Sequence, residues 1–163
     1  MIFVCAMTMA QTNAYPLLPM PQNYKVTDKS FAMGKVKLST PVLKSEWEAF
    51  IVNAGGELAD KAAAEIKVEL LPVIDGVKLN PDEAYRLSVS GKLIKIEAVT
   101  ERGVYWALQT LRQLEKKKGK KSLFAGCEIV DWPAFRIRGF MQDVGRSYIS
   151  VEELKLSLIH ISE

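Results

Sequence analysis

Cysteine and histidine are nearly missing from this chain, with two of the first and one of the second in 163 residues. Two cysteines are too few for a disulfide framework. Cys5 lies in a segment expected to leave the mature protein, so Cys127 is expected as a single buried, unpaired thiol. The lone His160 has no ligand partners in sequence, and a metal centre or a histidine base is therefore set aside. A long apolar run is missing too: Ile2 to Met7 is far too short to span a bilayer, which takes about 20 residues. Charge of one sign is scarce, since a net charge of +3 comes mostly from the run Lys116-Lys117-Lys118-Gly119-Lys120-Lys121. No aromatic side chains interleave those lysines to stack on bases, so no nucleic-acid partner is expected. Cations favour a helix C-terminus and Gly119 can adopt the left-handed conformation, so the run is expected to close a helix.

What is present is an ordinary globular composition, 48% hydrophobic and 25% charged, which excludes both a disordered chain and a membrane-embedded bundle. The length allows one domain plus the beginning of a second. Residues 1–14 resemble the tail of a secretory signal, an apolar stretch followed by small and polar residues but without a basic start. That points to a secreted or periplasmic bacterial protein.

Pro16-Leu17-Leu18-Pro19-Met20-Pro21 forbids helix and opens a domain expected over residues 15–132. Within it, Val36 to Leu38 is a short strand candidate. Ser45-Glu46-Trp47-Glu48 reads as a capping box for a helix with Trp47, Phe50, Ile51 and Ala54 on its apolar face. Gly55-Gly56 ends it. Ile66, Val68 and Leu70 alternate as in a half-buried strand, and Asp75-Gly76 and Asn80-Pro81-Asp82 mark turns.

Tyr85-Leu87-Val89 and Ile94-Ile96-Ala98 alternate on either side of Ser90-Gly91-Lys92, a hairpin signal. Thr100 can then cap a helix whose stripe is Val104, Ala107, Leu108, Leu111 and Leu114. One further strand is expected from Phe124 to Val130. The class is therefore α+β, with helices on one face of a mostly antiparallel sheet.

After Asp131-Trp132-Pro133 the pattern changes to a strand-like Arg138 to Val144, then a second capping box, Ser150-Val151-Glu152-Glu153. Strand, loop and helix start make a β/α unit. With 25 residues after Arg138, it is at most the start of a barrel, which takes about 250.

Three motifs now combine. Glu83-Ala84-Tyr85-Arg86-Leu87-Ser88-Val89, Gly103 to Leu114 with its Gln109-Thr110-Leu111-Arg112-Gln113-Leu114 core, and Asp131 to Arg146 with its Asp-x-Pro-x-Phe, Arg-Gly and Asp-x-x-Arg elements stand in this order. Together they resemble glycoside hydrolase family 20, the β-N-acetylhexosaminidases. The resemblance implies a non-catalytic α+β domain, then a (β/α)8 barrel whose truncated start is residues 133–155. It implies removal of terminal β-linked N-acetylglucosamine or N-acetylgalactosamine from a glycan, without a cofactor. The substrate's own acetamido oxygen is the nucleophile in this family, supported by an Asp-Glu pair that lies further along the barrel, so the chain by itself is expected to be inactive.

By the same resemblance Arg146 is the substrate-binding residue. Barrel sites lie at the C-terminal ends of strands, and a guanidinium fork suits two vicinal sugar hydroxyls. Asp143 is assigned a structural role beside it, Arg138 and Asp131 a place at the domain junction. Ser147 stands where several relatives carry His or Asn.

The alternative is a non-catalytic carbohydrate-binding or scaffold module of another barrel glycosidase; the Asp143-x-x-Arg146 element favours family 20. Residues 156–163 depart from the family pattern and can be back-translated into the transposase adapter of sequencing libraries. His160 falls among them.

Overall fold

Alternating side chains build the central layer. In this computed structural model, which describes residues 17–139 and 150–152, β6 (Tyr85–Val89) buries Tyr85, Leu87 and Val89, and β7 (Leu93–Ala98) buries Ile94, Ile96 and Ala98. The hairpin joining them closes on Ser90 and Leu93. Their register places Leu87 opposite Ile96 and Ile96 opposite Val68 of β5 (Ala64–Leu70), so one face of the layer is apolar. On the other face the intervening positions carry a charge lattice, in which Lys95 bridges Glu69 and Glu97, and Arg86 also reaches Glu97 at 3.2 Å.

Outward from β7 and β5 come β3 (Lys35–Ser39) and β4 (Glu57–Leu58); outward from β6 come β10 (Cys127–Asp131) and β1 (Asn23–Val26). The seven-stranded sheet is mixed, not mostly antiparallel: β1, β10, β6 and β7 pair antiparallel, but β7, β5, β3 and β4 pair parallel. A helix, α1 (Lys44–Asn53), lies between β3 and β5 in sequence and carries the chain back to the starting end of the sheet, which forces the parallel pairing. A second, antiparallel sheet has the order β2 (Phe31–Ala32), β9 (Lys121–Phe124), β8 (Glu115–Lys118).

Both helices press on the apolar face through one shared core. The expected stripe of α2 (Glu101–Gln113), Val104, Ala107, Leu108 and Leu111, is buried together with Leu114 just beyond it. Thr100 caps this helix, its hydroxyl accepting from the Arg102 amide at 3.2 Å. From α1, Trp47, Phe50 and Ile51 are buried as expected. Phe50 meets Trp47 edge to face at 5.9 Å and Phe124 at 5.6 Å, while Phe31 meets Phe124 at 6.4 Å, so an aromatic row joins α1 to the small sheet.

Three further expectations need correction. The capping box at Ser45 does not form, because the helix starts at Lys44 after Leu43 in left-handed conformation, and the Ser45 hydroxyl donates to Glu46 instead. The lysine run does not close a helix. It forms β8 and the turn to β9, with Gly119 at φ 64° in that turn. The single strand expected over Phe124 to Val130 is two strands in two sheets, split at Gly126, where a Cβ would stand 2.1 Å from the Lys29 carbonyl oxygen.

Candidate functional site at the domain junction

Where the chain leaves β10, polar groups converge that sequence distance keeps apart. Asp131 closes the strand; its Oδ1 accepts from the Gln22 amide at 3.0 Å and its Oδ2 from the Tyr85 hydroxyl at 3.2 Å. Tyr85 spends its proton on that carboxylate, so the Thr110 hydroxyl, 2.6 Å away, donates to Tyr85. Burial first, and then the Asp131 charge, push the Tyr85 phenol well above its ordinary range, which keeps it a neutral hydrogen-bond donor. Leading segment, sheet and α2 are thereby tied to one point. Just beyond, Trp132 packs on Ile74 and Ala84, and the Asn80 side-chain amide donates to the Pro133 carbonyl at 2.7 Å.

A second cluster holds Arg138. Its guanidinium donates to the Phe135 carbonyl at 2.7 Å and to Glu83 Oε2, and lies 5.7 Å from the centroid of the Trp106 ring. The Trp106 indole nitrogen donates to the same Glu83 oxygen at 2.9 Å. Glu83 therefore accepts two hydrogen bonds on one oxygen, and these, Arg138's first, hold its carboxyl below the usual range. Asp82-Glu83 is an adjacent Asp-Glu pair by residue type, yet a carboxyl kept ionised in this way is unsuited to donate a proton to a leaving group.

Both clusters border a cavity of about 530 Å³ lined by Met20, Trp106, Gln113, Trp132 and Phe135 among others. Large apolar side chains stand open around it, Phe135 at 72% and Met20 at 76% exposure. Among the described residues no group of His, Cys, Asp and Glu could hold a metal ion, and no helix is long and apolar enough to cross a membrane.

Of the residues singled out from sequence, Asp131 and Arg138 stand in these two clusters. Arg146, Asp143, Ser147, His160 and Cys5 lie outside the described residues, as does most of the expected barrel start at 133–155. The reasoning from sequence missed the role of Glu83, which nothing local distinguishes from a turn carboxylate. A signal for Trp106 was available: it sits off the apolar stripe of α2, where an indole has no core to fill.

The profile of glycosyl hydrolase family 20, domain 2, matches residues 14–132. The chain belongs to this family. It is 28% identical over 155 residues to the β-hexosaminidase of Porphyromonas gingivalis, covering 85% of this chain and 20% of that protein. It is 34% identical over 96 residues to the β-hexosaminidase of Vibrio furnissii, covering 59% of this chain and 15% of that protein. Among solved structures, an inactive variant of the family 20 exo-β-N-acetylglucosaminidase of Vibrio harveyi superposes with a TM-score of 0.66 at 32% identity, over 90% of this chain and 23% of the other. The chain thus spans about a fifth, or less, of the length of these curated relatives. Its α+β layer, with two helices on a sheet, is the domain 2 fold of family 20.

Proposed function

We propose that this chain is the N-terminal part of an exo-β-N-acetylhexosaminidase that acts on glycans ending in β-linked N-acetylglucosamine or N-acetylgalactosamine. One observation carries the reading: the family 20 domain at 14–132 is followed directly, in the family's order, by the Asp143-x-x-Arg146 element. In the whole enzyme the acetamido oxygen of the substrate attacks the anomeric carbon while a barrel glutamic acid gives its proton to the departing oxygen. A barrel aspartate orients the acetamido group. Water then opens the cyclic intermediate, and the configuration is retained. Arg146 holds the hydroxyls of the terminal sugar, and the α+β layer serves as a scaffold for the barrel. The signal-like residues 1–14 support export to the periplasm or the medium.

The test is hydrolysis of an aryl β-N-acetylglucosaminide by two proteins: this 163-residue chain, and the reading frame extended through its downstream DNA. The short chain is expected to be inactive and the extended one active. Saturable turnover by the short chain, or none by a folded extended protein, sinks the reading.

A further inference from the structure

The Glu83 carboxylate sits on the 3-10 turn Pro81–Glu83, which precedes β6, and reaches across the junction to a residue 55 positions later. Its side chain is only 13% exposed, and the guanidinium it holds is confined on three sides, by the carboxylate, the Phe135 carbonyl and the indole face of Trp106. An ion pair near the surface contributes little to global stability. This one is different in what it joins: Glu83 and Trp106 belong to the α+β layer, whereas Arg138 is next to the last residue described before the chain continues toward Asp143 and Arg146. Between the end of β10 and Arg138, the Asn80 side-chain amide also donates to the Pro133 carbonyl, five residues upstream of Arg138. Phe135 and Ile137, both just before Arg138, are open at 72% and 91%, so their packing among the described residues does not fix the direction of exit.

We propose that Glu83 is a positioning residue: with Trp106 it clamps Arg138, and so sets the direction in which the chain leaves the α+β layer and the placement of the segment bearing Arg146. The inference rests on the hexosaminidase reading. A displacement of about 1 Å at a remote support can lower a rate about 100-fold when a reactive geometry depends on it. A clamp of this kind acts on kcat and on the sugar-hydroxyl preference, with little effect on folding.

Two measurements test it. In this chain, Glu83→Gln should speed tryptic cleavage after Arg138, whose guanidinium must leave the clamp to enter the protease, at least ~10-fold while the hydrogen-exchange protection of β6 and β7 stays as it was. The midpoint of thermal unfolding should move by no more than a few degrees. In the extended enzyme, Glu83→Gln should lower kcat at least ~10-fold and weaken the discrimination against analogues lacking one outer hydroxyl. Adding Arg138→Met should bring no further loss, because both changes open the same clamp. Unchanged cleavage after Arg138, or unchanged kinetics in an active extended enzyme, overturns the clamp, as does a uniform loss of protection across the sheet. Inactivity of the extended wild type overturns the hexosaminidase reading itself, with the cleavage result in the short chain standing apart from it.

Discussion

Cys127 shows how strongly one side chain can be governed by its surroundings. It is fully buried on the apolar face of β10, and burial, followed by the nearby Glu128, pushes its thiol up to about 12. The reactive species is the thiolate, so Cys127 should resist alkylation at pH 8 in the folded protein and react once the chain is unfolded; peptide mass analysis after iodoacetamide treatment reads this directly. The same shift has a sign for stability. An unfolded thiol loses its proton near the ordinary value of 9.0 while the folded one keeps it, so stability is unaffected below that pH and declines as pH rises from 9.0 toward 12. Tyr85 is raised for the same first reason and acts in the same direction at higher pH. That Cys127 would be buried and unpaired was readable from sequence, because only one other cysteine exists. The pairing of Tyr85 with Thr110 and Asp131 was not, since the three are separated by 25 and 46 residues and meet only when β6, α2 and β10 pack.

At the level of elements, α2 was the most legible. Its stripe combines a 3.6-residue period, a Thr100 cap and good helix formers, three local signals that agree with the tertiary packing. Leu108 lies at the middle of that stripe with 1% exposure, and Leu108→Ala should cost about 2–5 kcal/mol in chemical denaturation. A stability within 0.5 kcal/mol of wild type would mean the stripe does not face the sheet. Strands were legible as strands, but their direction was not. Alternation marks which side chains face the core and is the same for a parallel and an antiparallel neighbour. The β6–β7 hairpin revealed its own sense because the turn is local, whereas the parallel β7–β5–β3 group depends on where α1 and the residue 71–84 connection return the chain. The lysine run misled for a related reason: with Gln113 the last residue of α2, the next stable place for Glu115 to Lys118 is the edge of the small sheet, where lysines also discourage further pairing.

For the whole molecule, the α+β layer shares one apolar core, and the large apolar side chains Met20, Trp106 and Phe135 stand open around the cavity beside the end of β10. In the extended enzyme the proposed contact of Arg146 with two sugar hydroxyls gives the sharpest functional expectation. Charge-assisted hydrogen bonds of this kind are worth about 1.5–3 kcal/mol each, so Arg146→Ala should lower kcat/KM at least ~10-fold without unfolding the protein. Arg146→Lys should not restore it, since one ammonium cannot reproduce the planar fork. The wild type should discriminate strongly against analogues lacking an outer hydroxyl and the Ala variant weakly; equal discrimination by both would remove Arg146 from the site.

The family, the two helices and the buried faces of the strands were present in the sequence, because each rests on periodicity, capping or short motifs that neighbouring residues specify among themselves. The mixed sheet, the division at Gly126 between two sheets and the Glu83–Trp106–Arg138 clamp were decided by tertiary structure. Each depends on which distant segments lie side by side, and a carboxylate on a turn carries no local mark of the guanidinium 55 residues away that neutralises it.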